Sequence, residues 1–197
     1  MRLVIATRNQ DKVREICDIM KNEKWELLSL LDFLKMAEVI EDGKTLLDNA
    51  LKKARASFVW TGIPSLADDT GLEVDRLDGA PGVWSSRFAG EKVSYRRNNE
   101  KLLRLLKGVP RGERTAHFRC TVAFVDRKGE QWVEDVCDGI ILPEYRGKGG
   151  FGYDPLFYVP EIGKTFAEMS PEEKNEVSHR GKAFRKMAEL LKTLKYA

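Results

Sequence analysis

Two adjacent carboxylates, Asp68 and Asp69, follow an apolar segment over residues 63–67 and precede Thr70 and Gly71. Carboxylates where a buried segment stops are costly unless a partner neutralises them. Mg²⁺ is a suitable partner, because it takes oxygen ligands and bridges to substrate phosphates. If a strand continues unbroken through this stretch, the two side chains face opposite ways, and one serves a site while the other serves the scaffold. An ordinary turn is the competing interpretation of two aspartates before a glycine.

A phosphate-binding turn is predicted near the N-terminus. Residues 3–6 form an apolar run typical of a strand covered on both faces, and Thr7-Arg8-Asn9 interrupts it. Helical spacing follows from Val13, with Asn9 placed to cap the helix. Backbone N–H groups at a helix start attract anions, and a bound phosphate would offset the unfavourable position of Lys12 near the positive end of the helix dipole.

A second helix combines nearby acids with a basic face. Glu38 and Glu41 precede it, and Thr45 is predicted to cap it. Asn49 and Lys53 are four residues apart and therefore share one helical face. That face could contact phosphate, whereas the acids could hold a metal or lie in a solvated loop.

The last third of the chain offers a second ligand surface. Residues 147–157 place glycines and aromatic rings around Asp154. Glycines let the backbone approach a ligand closely, and aromatic rings can stack on a base, although plain turns also have this composition. Ser170 is predicted to cap a helix that contains Lys174. His179 and Arg180 open the final helix, where a guanidinium could recognise carbonyls and phosphates.

The predicted elements that must position these residues include both strands and helices. The 197 residues suffice for one domain with a substantial core, and the net charge of +3 is too small to indicate nucleic-acid or membrane binding. Three cysteines without metal-ligand spacing favour buried thiols. We see no secretory signal, so a cytoplasmic location is expected. A surface helix is predicted over residues 95–106, a hairpin over residues 115–141, and a core stripe on the last helix that includes Leu194.

Taken together, the segments resemble the inosine triphosphate pyrophosphatase family, whose members remove non-standard purine nucleotides. Thr70 stands where the family often has Ser, and Trp84 where it often has Tyr. The resemblance covers nearly the whole chain. The matching segments, in family order, are Thr7-Arg8-Asn9-Gln10-Asp11-Lys12, Gly43-Lys44-Thr45 with Asn49 and Lys53-Ala54, Ala67-Asp68-Asp69-Thr70-Gly71-Leu72, Gly79-Ala80-Pro81-Gly82-Val83, residues 149–155, and Ser178-His179-Arg180-Gly181.

The resemblance implies a two-lobed α/β fold, with a long mixed central sheet flanked by helices and a nucleotide cleft between the lobes. It implies a single two-lobed pyrophosphatase domain over residues 1–197 and a homodimer. The implied reaction is Mg²⁺-dependent hydrolysis of ITP, dITP and XTP to a nucleoside monophosphate and pyrophosphate. Such a reaction would keep inosine and xanthine bases out of DNA and RNA.

The resemblance also implies roles for individual residues. Asp69 would be catalytic, with Asp68 in support, and Mg²⁺ would be held by Asp69 together with Glu38 or Glu41, both of which can be aligned with the metal-binding Glu of the family. The implied substrate-binding residues are Thr7, Arg8, Asn9, Gln10, Asp11, Lys12 and Lys53 for the triphosphate, Thr70 beside the metal, and Phe151, Gly152, Tyr153, Asp154, Lys174, His179 and Arg180 for the base.

Two other functional classes are compatible with parts of the sequence. A glycoside hydrolase also needs two carboxylates, but it has no need of a cationic helix start at Lys12. A non-catalytic nucleotide or nucleic-acid binding module would use the basic and aromatic residues. It predicts strongly salt-dependent binding without turnover.

Overall fold

The computed structural model describes residues 1–21, 23–33, 36–91 and 93–194. Within these residues the chain forms eight strands and five α-helices. The strands are β1 Arg2–Ile5, β2 Glu26–Ser29, β3 Ser65–Val74, β4 Pro81–Gly82, β5 Thr115–Asp126, β6 Gly129–Ile141, β7 Phe157–Val159 and β8 Lys164–Thr165. The helices are α1 Gln10–Met20, α2 Leu46–Thr61, α3 Tyr95–Leu105, α4 Pro171–Val177 and α5 His179–Thr193. No helix in this part of the chain is both long and apolar enough to cross a bilayer.

The strands form one mixed sheet in the order β2-β1-β3-β5-β6-β7-β8, with β4 paired to β3. Strand β1 pairs in parallel with both β2 and β3. The β3–β4, β6–β7 and β7–β8 pairs are antiparallel. The predicted fold class, a long mixed sheet flanked by helices, is confirmed, as is the hairpin formed by the neighbouring strands β5 and β6.

The chain divides into two compact units, each built from separate segments. The first comprises Met1–Asp69, Cys120–Asp135 and Arg180–Ala197, and the second comprises Thr70–Arg119 and Val136–His179. This grouping agrees with the two lobes that the sequence predicts. The single-domain assignment and the cleft stay predictions.

Strand β1 explains the core of the first unit. Leu3 and Ile5 belong to one buried cluster, which also holds Ile16 of α1 and Phe184 of α5. Val4 points the other way, into a second cluster with the small residues of α2. Alternate side chains of a strand face opposite sides, so β1 is covered on both faces, as its apolar run predicts. The ends of β1 and β3 are thereby held against α1 and α2.

Aromatic packing dominates the core of the second unit. The rings of Phe118 and Phe157 meet edge to face with centroids 4.7 Å apart, and the Phe157 and Phe166 centroids lie 4.9 Å apart. Leu72 and Leu102 join the same cluster from β3 and α3. Such aromatic pairs add about 0.5–1.5 kcal/mol beyond the area they bury.

The predicted helix starts are confirmed. Asn9 accepts from the backbone of Asp11 and Lys12 at the start of α1, and Thr45 and Ser170 form capping boxes at the starts of α2 and α4. One core assignment is wrong. Leu194 is 37% exposed, because α5 ends at Thr193 and the side chain lies beyond the packed stripe.

Candidate functional site

Strand β3 carries both aspartates without interruption, so the turn interpretation is wrong. Asp68 is 2% exposed and Asp69 is 8% exposed. Successive side chains of a strand point to opposite faces, and these two carboxylates accordingly meet different partners. We call Glu15, Glu41, Asp68 and Asp69, together with Lys12, Lys53 and Arg180, the carboxylate cluster; all of them belong to the first unit.

Asp68 is held by two cations. Lys12 Nζ lies 3.0 Å from its Oδ2, and Arg180 donates to the same oxygen from Nε and Nη2 at 3.3 and 3.1 Å. Arg180 also donates from Nη1 to Glu15 at 2.6 Å, so two carboxylates fix the plane of its guanidinium. Burial acts to raise the pKa of Asp68, but the charges of Lys12 and Arg180 outweigh it and hold that pKa well below its ordinary value. Asp68 is therefore ionised and acts as an anchor for both cations.

Asp69 faces a different set of partners. Lys53 Nζ donates to its Oδ1 at 2.9 Å, and the Asn49 amide donates to its Oδ2 at 3.2 Å. The same ammonium donates to Glu41 Oε2 at 2.8 Å, so one lysine bridges two carboxylates. Burial acts to lower the pKa of Lys53, and the two carboxylates outweigh it and raise that pKa.

The pKa values of the two carboxyls that contact Lys53 are shifted in opposite directions. Burial and the charge of Glu41 raise the pKa of Asp69, although Lys53 opposes them. Burial acts to raise the pKa of Glu41 as well, but Lys53 and a hydrogen bond with Asp69 lower it. Two neighbouring carboxylates repel each other when both are ionised, and Lys53 supplies a single positive charge that contacts both. This pair is therefore suited to receive additional positive charge.

The donor set fits Mg²⁺. Magnesium is usually held by one or two carboxylates, with water and substrate phosphates completing its coordination. Glu41 and Asp69 supply two carboxylates in contact, whereas Glu38 is exposed. No group of three or more His, Cys, Asp or Glu side chains among the described residues is arranged to hold a metal by itself. The arrangement therefore favours Glu41 over Glu38 and leaves the remaining coordination to water and substrate.

The predicted phosphate turn follows β1. Thr7 Oγ1 accepts from the Asn9 backbone N–H at 3.2 Å, and Arg8 donates to the carbonyl of Met36. The Asn9 side chain accepts from the backbone N–H groups of Asp11 at 2.9 Å and Lys12 at 3.2 Å. Capping by Asn9 therefore uses two amides of the first turn, as the sequence predicts. The side chain of Asp11 pairs with Arg14, and Gln10 is exposed.

The predicted base-contact residues of the second unit are organised around one buried ion pair. Lys174 Nζ lies 2.6 Å from Asp154 Oδ2, and the two side chains are only 6% and 5% exposed. The same oxygen accepts from the backbone N–H of Phe151 at 2.8 Å. The ammonium lies 4.9 Å from the centroid of the Phe151 ring and 5.5 Å from that of Phe166. We call Asp154 and Lys174 the buried pair.

Glycines in this loop are required by the protein's own packing. A Cβ at Gly150 would lie 2.1 Å from Asp154 Oδ2, and one at Gly147 would lie 2.4 Å from the backbone of Ala167. Both glycines also have positive φ, at 68° and 84°. Their role is to let the loop close on the buried pair, in addition to any approach of a ligand.

The remaining predicted residues of the second unit have distinct surroundings. Tyr153 donates from its hydroxyl to the carbonyl of Ser85 at 2.9 Å. His179 is buried and stacks on Phe118 with centroids 4.6 Å apart, and Thr70 is half-buried on β3. Beside the loop lies a cavity of about 510 Å³. Its lining includes Tyr95, Asn99, Tyr145, Lys148, Phe151 and Gly152.

Sequence reasoning missed two of the three residues that support these groups, Glu15 and Asn99, and predicted a phosphate contact for the third, Asn49. Glu15 pairs with Arg180, Asn49 bridges Asp69 to the backbone of Gly43, and Asn99 donates to the carbonyl of Gly152 at 2.9 Å. Glu15 lies three residues after Lys12 on α1, so helical spacing was an available signal for Glu15.

Comparison with known proteins identifies the family. The model of the Ham1 family matches residues 3–190. The chain belongs to the Ham1 family. It is 53% identical over 195 residues to a dITP/XTP pyrophosphatase of Desulforamulus reducens, covering 98% of this chain and 97% of the relative. It is 55% identical over 183 residues to a dITP/XTP pyrophosphatase of Geobacter sulfurreducens, covering 92% of each.

Solved Ham1 structures share the whole fold. A HAM1 protein from Coxiella burnetii is similar to this chain with a TM-score of 0.88 and 36% identity, over 98% of this chain and 99% of the other. The Ham1 protein of Staphylococcus aureus gives a TM-score of 0.86 and 34% identity, again over 98% and 99%. The mixed sheet described above is therefore the Ham1 fold.

Proposed function

We propose that this Ham1 protein hydrolyses the non-standard purine nucleoside triphosphates ITP, dITP and XTP to the monophosphate and pyrophosphate. The structural observation that carries the proposal is the pair of carboxyls, Glu41 and Asp69, that Lys53 bridges, with Lys12 on the neighbouring Asp68. A metal–triphosphate complex needs both kinds of group at once, carboxylates for the cation and ammonium groups for the phosphates. The names of the relatives support the substrate class.

Metal, triphosphate and attacking water would be handled by the carboxylate cluster, the turn at residues 7–12 and Thr70. Glu41 and Asp69 would hold Mg²⁺, which, when bound, supplies charge neutralisation at the phosphate oxygens. Lys12, Lys53 and the turn at residues 7–12 would hold the triphosphate. Asp69 would orient the attacking water and accept its proton. The water oxygen forms the new bond to the α-phosphorus as the bond from that phosphorus to the bridging oxygen breaks, and the bridging oxygen leaves with pyrophosphate. Thr70 would contact substrate beside the metal.

The proposal assigns base contact to residues 151–154, Lys174, His179 and Arg180. Hypoxanthine and xanthine present an acceptor at position 6 and an N–H at position 1, whereas adenine presents the reverse. The buried pair offers an ammonium donor beside a carboxylate acceptor, which is the complementary combination. A nucleotide with adenine would leave donors facing a donor, and an unsatisfied buried group costs ~1–3 kcal/mol. We expect ITP and XTP well above GTP, and ATP and pyrimidine nucleotides lowest.

We further propose that the protein works as a homodimer in the cytoplasm, as a single two-lobed domain. Size-exclusion chromatography with light scattering tests the dimer. A monomer across the concentrations used for the activity assay would remove it from the proposal.

A nucleotide panel is the decisive experiment. Pyrophosphate and monophosphate are measured for ITP, dITP, XTP, GTP, ATP and CTP, with Mg²⁺ and with EDTA. The proposal expects stoichiometric release of both products from the first three, and loss of turnover in EDTA. Binding without turnover would indicate a nucleotide-binding module, and sugar release independent of Mg²⁺ would indicate a glycoside hydrolase.

A further inference from the structure

We infer that Asn49 is a positioning residue for the metal carboxylates, fixing Asp69 and the acidic segment that carries Glu41 with one side chain. The inference rests on the proposed function, because it concerns the residues that would hold Mg²⁺. It assigns Asn49 to the carboxylates, whereas its place on the helix face of Lys53 predicts a phosphate contact.

The two ends of the Asn49 amide have separate partners. The side chain is buried, with the residue 1% exposed. Its Nδ2 donates to Asp69 Oδ2 at 3.2 Å, and its Oδ1 accepts from the backbone N–H of Gly43 at 2.8 Å. Gly43 follows Glu41 by two residues. One side chain on a regular helix therefore connects the strand that bears Asp69 with the segment that bears Glu41.

The chemistry of the two Asp69 partners differs in a way that matters for a cation. Lys53 donates to Oδ1 as an ammonium and would repel an arriving Mg²⁺, so that contact must yield. The Asn49 amide is neutral and does not compete with a cation for charge. It can keep hold of Oδ2 and so preserve the orientation of the carboxylate while Oδ1 exchanges partners.

The Gly43 contact is also specific. A Cβ at Gly43 would lie 2.5 Å from Asn49 Oδ1 and 2.6 Å from Asp48 Cβ. The absence of a side chain at Gly43 therefore lets its backbone reach the amide. Together the two residues set the distance between the acidic segment and α2.

A second contact between the same helix and strand provides a matched control. Ser57 of α2 and Ser65 of β3 are both fully buried, and their hydroxyls lie 2.9 Å apart. This hydrogen bond joins α2 to β3 without touching a carboxylate. Loss of Ser57 therefore reports on helix–strand attachment alone.

The test measures metal affinity directly, in addition to turnover. Mn²⁺ binding is followed by electron paramagnetic resonance for the wild type, Asn49→Ala, Asn49→Ser and Ser57→Ala, with thermal unfolding recorded in the same buffers. Loss of a partner that orients a metal ligand typically weakens affinity by about 10- to 100-fold. We expect that loss in both folded Asn49 variants and near wild-type affinity in Ser57→Ala.

Three results would overturn the inference. Wild-type Mn²⁺ affinity in the Asn49 variants would remove Asn49 from the metal site. Failure of both Asn49 variants to fold, or equal loss of affinity in Ser57→Ala, would assign it a structural role only. Asp69→Asn separates the two hypotheses: if the wild type binds Mn²⁺ and Asp69→Asn does not, the proposed function stands whatever Asn49 does. If the wild type neither binds Mn²⁺ nor releases pyrophosphate, the proposed function itself fails.

Discussion

The carboxylate cluster and the buried pair handle buried charge in opposite ways. Among the described residues of the first unit, the four carboxylates of the cluster lie with three cations, and Lys53 contacts both Glu41 and Asp69. In the second unit, Asp154 and Lys174 form an ion pair of one negative and one positive charge, with the rings of Phe151 and Phe166 near the ammonium. Burying charge is expensive in both places, and it is tolerated only where partners and hydrogen bonds compensate it.

The difference indicates what each region can bind. The carboxylate cluster has more carboxylates than cations, and Asp69 and Glu41 share contact with the ammonium of Lys53. The cluster therefore gains from an added cation and the phosphates that accompany it. A balanced pair has no such deficit. It presents a fixed donor and acceptor next to an aromatic ring, an arrangement suited to an uncharged flat ligand. The carboxylate cluster is thus suited to exchange its ion-pair contacts when a ligand binds, whereas the buried pair is suited to retain its own.

Asp69→Asn should have the largest effect on activity. It removes the carboxylate of the cluster that lies with Lys53 and Glu41 and that would bind the proposed metal. We expect kcat/KM for ITP to fall by ~10³-fold or more, since a metal ligand and a water-orienting group are lost together. The fold should persist by circular dichroism. Asp78→Asn is the control, an exposed aspartate whose positive φ of 51° asparagine also tolerates. Near-normal turnover with normal Mg²⁺ dependence in Asp69→Asn would mean that another carboxylate is catalytic.

Lys174→Met tests whether the stability of the protein depends on the charge balance of the buried pair. Asp154 would become a buried charge without its cation, which typically costs about 3–5 kcal/mol of stability. Urea unfolding measures the loss. The double variant Lys174→Met/Asp154→Asn should recover much of that stability but not the selectivity for ITP over ATP. If the single variant is as stable as the wild type, the pair is not the organising contact of the loop.

Lys12→Ala asks whether the cations of the first region bind phosphate as well as Asp68. Loss of one charge-assisted contact is worth ~1.5–3 kcal/mol, so KM for ITP should rise by roughly 10- to 100-fold, with a smaller change in kcat. Steady-state kinetics at saturating Mg²⁺ provide the measurement. Lys21→Ala, at the other end of the same helix, should leave both constants unchanged. Wild-type constants in Lys12→Ala would confine Lys12 to its pairing with Asp68.

Arg180→Ala tests whether Arg180 contacts the base or serves as the charge partner of Asp68 and Glu15. The proposal expects the ITP-to-ATP ratio of kcat/KM to fall by ~10-fold, because a donor toward position 6 of the base is lost. The contacts with Asp68 and Glu15 instead suggest a charge-partner role, for which both nucleotides would lose equally. Glu15→Gln, which keeps Arg180 but weakens its hold, is the matched variant. An equal loss on ITP and ATP would transfer Arg180 from the base to the carboxylate cluster.

His117 gives the smallest effect, because it lies outside both regions. A hydrogen bond to Asp138, joined by the nearby charge of Asp75, raises the pKa of His117 against the opposing effect of burial. A folded-state pKa above the unfolded value means that this stability is fully present below pH ~6.5 and is lost as pH rises through the raised pKa. The melting temperature of the wild type should therefore decline slightly over that window relative to His117→Gln. Parallel profiles would show that the contacts contribute nothing to folding.

Local chemistry in the sequence determined much of the scaffold. Asn9, Thr45 and Ser170 bond to backbone groups two or three residues away, so the starts of α1, α2 and α4 follow from short spacings. The apolar run of β1 and the alternation along β3 likewise follow from strand geometry, which sends Asp68 and Asp69 to opposite faces. Candidate residues for both regions could be named because their types and spacing suit metal, phosphate and base.

Only the tertiary structure decided which of these residues meet. Arg180 and Glu15 are 165 positions apart, and Asn49 reaches Asp69 across 20. Glu41, rather than Glu38, contacts Asp69, although both precede α2 in the same acidic stretch. Leu194 fits the helical stripe but lies past the end of α5 and is exposed. Spacing along a helix or strand fixes only the direction of a side chain. Which residue the side chain then contacts is set by the sheet, because the sheet brings together segments that are distant in sequence.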